Sequence, residues 1–152
     1  MTESALSFDT PIGRLTARAG DAALRQLDWD GPAGHDQTPL LVETRSQIAA
    51  YFAGRLRHFD LSLAPAGTPF RQSVWRLMAA IPYGETRAYG DLAADLDTAP
   101  RAIGGACGAN PIPVILPCHR VVARDGRLTG YSGGAGLDTK HFLLELERRA
   151  GR

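Results

Sequence analysis

The chain has 152 residues, 44% hydrophobic and 22% charged, with a formal net charge of +1. That is enough length to bury a real core in one domain or in two small ones packed together. No apolar run approaches the roughly 18 residues of a membrane span, and the N-terminus lacks the basic, apolar, small-residue pattern of an export signal, so a cytoplasmic protein with no membrane partner is expected. Only Cys107 and Cys118 are present, too few for a disulfide framework. With His35, His58, His119 and His141 they make no zinc-ligand spacing, so both thiols are expected to be free and no metal is expected.

A near-neutral total argues against a strongly electrostatic nucleic-acid binder, but the charge is unevenly spread. Residues 1–66 hold six basic and eight acidic side chains, net −2, whereas residues 67–152 hold eleven and eight, net +3.

Taken in order, Leu6-Ser7-Phe8, Leu15-Thr16-Ala17 and Ala23 to Trp29, separated by turns at Pro11-Ile12-Gly13 and Gly20-Asp21, read as a β-meander. Thr38-Pro39 places a cap residue and a first-turn proline before a helix that ends at Gly54, with Leu41, Ile48, Tyr51 and Phe52 on its apolar face. The alternation of Phe59, Leu61 and Leu63 suggests one more strand. Nothing in this part assembles a nucleophile, base or ligand, and it reads as a mixed α/β scaffold domain over residues 1–66.

Ala64-Pro65-Ala66-Gly67-Thr68-Pro69 is the seam. Beyond it, residues 67–152 read as a mainly helical domain packed on the first, so the fold class is α+β. Thr68-Pro69 can start a helix with Phe70, Val74, Leu77, Met78 and Ile81 at core spacing, broken by Pro82-Tyr83-Gly84. Two short helices follow, Tyr89 to Leu96 and Pro100 to Ala109, with a tight turn at Asp97-Thr98, a spacing that suits a helix-turn-helix.

The second of these helices is unusual, since Gly104, Gly105 and Gly108 each cost about 1 kcal/mol against alanine in a helix interior. Its lack of long polar side chains rules out major-groove base reading. Two explanations remain. The glycines either allow tight packing inside the protein, which the pattern alone favours, or admit an outside surface such as a minor groove, with Arg101 free to enter the base stack.

Residues Asn110 to Val122, N-P-I-P-V-I-L-P-C-H-R-V-V, combine an aliphatic run with Pro111, Pro113 and Pro117, which remove the donors a strand ladder needs. Such a braced segment suits holding the Cys118 thiol still, although a free cysteine is often only a small buried hydrophobe. A thiol with a free pKa of about 8.5 needs help to ionise. His119 is the nearest base; extended neighbours point apart, so it must act through a turn or a bridging water. Glu145 and Glu147 on the last helix, from about Leu137 to Arg149, are the carboxylates that could orient it. Between them, Val121-Val122-Ala123 and Leu128-Thr129 flank Asp125-Gly126 as a hairpin, and Tyr131 to Gly136 read as a flexible loop.

Pro117-Cys118-His119-Arg120-Val121, the upstream Arg101-Ala102-Ile103-Gly104-Gly105-Ala106, the Asn110-Pro111 pair and the downstream Tyr131-Ser132-Gly133-Gly134 together resemble the O6-alkylguanine-DNA alkyltransferases, also called methylated-DNA-protein-cysteine methyltransferases. The resemblance is strong over residues 68 to 149 and weaker before them. It implies DNA repair by stoichiometric transfer of an alkyl group from O6 of guanine in duplex DNA to Cys118, without metal or organic cofactor. By the same resemblance, His119 and Glu147 with a water activate Cys118, Asn110 braces the turns, and Tyr89 helps flip the nucleotide and protonates the departing guanine.

The resemblance further implies that Arg101 replaces the extruded base, on a recognition helix laid in the minor groove that includes Ala102, Gly104 and Gly105. Pro113, Val121, Tyr131, Ser132 and Gly133 would form the base pocket. The expected partner is double-stranded DNA carrying alkylated guanine, met by a monomer, with cooperative assembly on DNA left open. The chain departs from some relatives in lacking zinc ligands and a basic side chain at Gly108. Cys107 reads as a small packing residue.

Three other readings compete, one of them a plain helix-turn-helix regulator, which would want a polar reading helix and a dimer seam that the sequence does not show. A non-catalytic protein of the same fold that only recognises alkylated bases would have no need of Cys118. A cysteine hydrolase would leave the glycine-rich helix and Arg101 unexplained.

Overall fold

The alternating N-terminal segments form a three-stranded antiparallel sheet in the order β1 (Ser4–Thr10), β2 (Gly13–Ala19), β3 (Leu24–Asp28). The register pairs Leu6 with Ala17 and Thr16 with Asp28, with an irregularity at Arg18/Ala19. The structure, a computed structural model, describes residues 3–126 and 134–150 and divides into two units, Met1–Ala66 and Gly67–Arg152.

In the first unit, α1 (Pro39–Phe52) starts where Thr38 accepts the Leu41 N–H on its hydroxyl, with a proline in the first turn. Leu41, Ile48 and Tyr51 are buried with Leu6, Leu15, Leu24 and Leu27 of the sheet. The expected strand over Phe59, Leu61 and Leu63 does not form: β3 makes a single parallel bridge, Leu24 to Leu63. The Gln47 amide takes the backbone groups that a strand partner would use, donating to Asp60 O at 3.0 Å and accepting Asp60 N–H at 2.8 Å.

The second unit begins with α2 (Pro69–Ala79), capped by Thr68, whose hydroxyl accepts Arg71 N–H. Val74, Trp75, Met78 and Ile81 are buried. Phe70, expected in the core, is 37% exposed, because residues 67–71 are all exposed and the first turn of α2 overhangs the core. Trp75 Nε1–H donates to Ala106 O at 2.9 Å, tying α2 to α4 (Pro100–Gly108).

The helix before α4, α3 (Tyr89–Asp95), ends in a Schellman motif. Asp97 takes the left-handed conformation (φ 52), Thr98 N–H donates to Ala93 O and Asp97 N–H to Ala94 O. Preceding α3, β4 (Arg87–Ala88) pairs in parallel with β5 (Val121–Val122). So Val121-Val122 join a strand from a distant part of the chain. The turn at Ala123 to Gly126 is present, with Gly126 N–H donating to Ala123 O; the second arm expected at Leu128-Thr129 lies outside the described residues. The last helix, α5, spans Leu137–Ala150. No helix among the described residues is long and apolar enough to cross a membrane.

Candidate active site

From Asn110 to Arg120 the chain is a series of tight turns rather than a strand. Asn110 holds it together: its Nδ2 donates to Leu116 O at 2.8 Å and its Oδ1 accepts Ile112 N–H at 2.9 Å. Between these bonds Val114 sits at φ 73, a left-handed conformation that a β-branched residue adopts only when its surroundings force it, at a cost of about 1–3 kcal/mol. Pro117 (φ −83, ψ 69) then makes an inverse γ-turn, with Cys118 N–H donating to Leu116 O at 2.8 Å. A 3₁₀ turn, Cys118–Arg120, follows at once. The Cys118 turn and α4 both pack on α2.

The three residues of that turn are buried and reach different partners. His119, with no exposed surface, places Nε2 2.7 Å from Glu147 Oε2. Arg120 donates through Nε to Glu147 Oε1 at 2.8 Å, through Nη2 to Oε2 at 3.1 Å, and through Nη1 to Ile81 O at 2.7 Å. Gly84 N–H adds a donor to Oε1 at 3.3 Å. Burial alone would raise the Glu147 carboxyl, but the bonds and charges of His119 and Arg120 outweigh it and hold the pKa down at about 2. Glu147 is therefore an ionised acceptor, and the shared proton sits on His119 Nε2. Burial pushes the His119 pKa down, against the pull of Glu147. The imidazole is neutral near pH 7, with its lone pair on Nδ1. That atom is buried and has no hydrogen-bond partner among the described residues.

Burial pushes the Cys118 thiol up, while the Asn110 amide and the Lys140 ammonium pull the other way. Lys140 is fully buried; its Nζ donates to Val121 O at 2.7 Å and to Tyr89 Oη at 3.3 Å, 5.5 Å from the centre of the Tyr89 ring. Its own pKa is lowered by burial and supported by the charges the two cysteines could carry. Cys107, in contact with Met78 sulfur at 3.6 Å, is pushed up to about 12, chiefly by burial. At neutral pH it is an inert thiol.

Of the residues singled out from sequence, Asn110 and Cys118 N–H thus meet at the Leu116 carbonyl, His119 and Glu147 form a second bonded group with Arg120, and Lys140 joins Tyr89 to Val121. Pro113 is buried in the same run of turns. Glu145, the other candidate carboxylate, instead pairs with Arg148 at 3.1 Å. Arg101, Ala102, Gly104 and Gly105 belong to α4 and take no part in the bonding around Cys118. Tyr131, Ser132 and Gly133 lie outside the described residues.

Arg120 and Lys140 take part in the site without a role expected from the sequence. A signal existed for the second: Lys140 is the single lysine of the chain, and it stands one, two turns from Leu143 and Glu147 on the buried face of α5.

The glycines of α4 have a clear setting. A Cβ added at Gly104, Gly105 or Gly108 would meet nothing within 4 Å, so internal packing, the explanation the pattern favoured, does not account for them. They leave a bare outer face beside the exposed Arg101.

Residues 69–149 match the family profile described as 6-O-methylguanine DNA methyltransferase, DNA binding domain. A methylated-DNA–protein-cysteine methyltransferase of Methanosarcina barkeri is 44% identical over 150 residues, 92% of this chain and 94% of that protein. Among solved structures, the Mycobacterium tuberculosis O6-methylguanine methyltransferase is 39% identical with a TM-score of 0.87, covering 98% of this chain and 94% of that one. The M. tuberculosis OGT in complex with DNA is 42% identical with a TM-score of 0.83, covering 97% and 94%. Likeness of this extent, running through both units and including the whole Cys118 turn, means that the chain belongs to the family of methylated-DNA–protein-cysteine methyltransferases.

Proposed function

We propose that the protein repairs DNA by moving an alkyl group from O6 of guanine in a duplex onto its own Cys118. The reaction is a displacement: the Cys118 thiolate forms a bond to the alkyl carbon, the carbon–oxygen bond breaks, and guanine leaves. The observation that carries this reading is the buried couple of His119 and Glu147, with His119 next to Cys118 in the same 3₁₀ turn. Neutral His119, held by Glu147, offers Nδ1 as the proton acceptor, and a bridging water spans the gap from the thiol. Tyr89, supported by Lys140, supplies a proton to the departing base. The product is a thioether that no thiol exchange reverses, so each molecule acts once.

The DNA contact follows from α3 and α4. As a helix-turn-helix with a bare second helix, the pair suits the minor groove, about 6 Å wide, where Gly104, Gly105 and Ala102 allow close approach. Arg101 then fills the stack left by the flipped nucleotide, whose extrusion costs a few kcal/mol. Pro113 and Val121 contribute to the pocket that takes the base; Tyr131, Ser132 and Gly133, given the same role by the resemblance, lie outside the described residues. The protein acts as a monomer in the cytoplasm.

Intact mass after incubation with a duplex carrying O6-methylguanine tests this directly. A gain of one methyl group per chain, absent in Cys118→Ala, is expected. Binding to the lesion without any gain would leave a recognition protein, and continuous turnover would indicate a hydrolase.

A further inference from the structure

The parallel pairing of Ala88 with Val122 brings Arg124, two residues past β5, alongside Tyr89-Gly90-Asp91 at the start of α3. Its guanidinium lies over the Gly90 backbone, where a Cβ on residue 90 would fall 2.5 Å from Nη2. A side chain there would push the guanidinium away. Its Nη2 lies 3.8 Å from Asp91 Oδ1, and the Arg124 side chain is 76% exposed. The other Asp91 oxygen is committed to Ala88 N–H at 3.1 Å. Arg87, the neighbouring cation, is paired with Asp95 at 3.0 Å. An exposed ion pair at the separation of Arg124 and Asp91 contributes little; Asp91 restrains the guanidinium without neutralising it. The result is a positive fork with most of its five donors facing solvent, one residue from Tyr89.

We infer that Arg124 grips a phosphate flanking the extruded nucleotide and so positions that nucleotide beside Tyr89. The inference rests on the alkyl-transfer reading above, in which the nucleotide leaves the stack at Tyr89. A base rotated out of the duplex swings about its flanking phosphates, so a charge that fixes one of them reduces the motion the base retains. A planar guanidinium suits this task because it can bind two phosphate oxygens at once.

The test measures the rate of methyl transfer from an O6-methylguanine duplex, at subsaturating protein and between about 50 and 200 mM salt, for wild type, Arg124→Ala and Arg124→Lys. Transfer from free O6-methylguanine base is measured alongside. Loss of one phosphate contact makes the slope of log rate against log salt shallower by about 0.9 in Arg124→Ala. The ratio of duplex to free-base rate falls about tenfold at low salt, the size of one charge-assisted hydrogen bond, and Arg124→Lys restores the slope. An unchanged slope and ratio in Arg124→Ala would overturn the inference, as would an equal loss on duplex and free base, which marks a structural role. Wild-type protein inert on both substrates would instead remove the alkyl-transfer reading, and this inference with it.

Discussion

His119 Nε2 and Glu147 Oε2 lie 2.7 Å apart, with the two side chains 0% and 1% exposed. The same carboxylate binds Arg120 through both oxygens, so Glu147 both orients the histidine and balances the arginine. Glu147→Gln keeps the shape but removes the charge and allows the wrong imidazole tautomer. Single-turnover kinetics should show methyl transfer slowed on the order of a hundredfold or more. Because Arg120 is left buried and unpaired, denaturant melts should show a loss of roughly 3–5 kcal/mol. Normal transfer in this variant would mean that His119 is not the base.

Acid should unfold the protein through the same pair. Glu147 has a folded pKa of about 2 against an ordinary value of 4.5; a depressed carboxyl stabilises the fold above its unfolded pKa and loses that contribution as pH falls through the folded one. The difference corresponds to roughly 3 kcal/mol. His119 is also depressed, so its unfolded form binds protons first and stability begins to fall below about 6.5. Melting temperature should therefore decline below that pH and steepen from about 4.5 toward 2. In Glu147→Gln the lower, steeper part of the decline should be lost.

Asn110 acts on the backbone. Asn110→Ala removes the donor to Leu116 O and the acceptor for Ile112 N–H, the two bonds that span the strained Val114. A stability loss of about 2 kcal/mol is expected, accompanied by a drop in transfer rate, because the γ-turn at Pro117 hangs from the same Leu116 carbonyl. Asn110→Asp keeps the acceptor alone and should recover only part of the stability. Chemical denaturation of the two variants together checks both statements.

Lys140 is the connection between Tyr89 and the strand that follows Cys118. Lys140→Met preserves much of the volume but removes the donors to Tyr89 Oη and Val121 O. Loss of about tenfold in transfer rate is expected, the equivalent of one hydrogen bond of about 1.4 kcal/mol. The pH–rate profile should change shape as well, since the Cys118 thiol loses the Lys140 charge that pulls its pKa down. A profile identical to wild type would confine Lys140 to packing.

The two thiols should behave differently. Cys107, at about 12, is almost entirely protonated at pH 8, and Cys107→Ala should still gain one methyl group by intact mass. Cys118 is also raised by burial, so a small alkylating reagent should label it faster as pH rises. Labelling confined to Cys107 at pH 8 would contradict both assignments.

What the sequence determined by itself was local. Thr38-Pro39 and Thr68-Pro69 start helices because the cap, the first-turn proline and the bonded N–H all lie within four residues. Asp97-Thr98 ends α3 in the same way, and the apolar alternation from Leu6 sets the meander. The motifs around Cys118 were sufficient to suggest the family.

Tertiary structure decided the choices that depend on which face of an element meets which neighbour. Glu145 and Glu147 are equally near in sequence but about 200° apart around α5; packing alone turns one toward His119 and the other toward solvent and Arg148. Lys140 looks like a surface residue until the face it shares with Glu147 is seen to be the buried one. Gln47 captures the backbone of Asp60, from another part of the chain, and ends a strand that alternation predicted. The glycines of α4 looked like packing residues, and only the open space beyond them showed that their bare face points outward. Each of these outcomes depends on atoms far apart in the chain, which composition and periodicity cannot bring together.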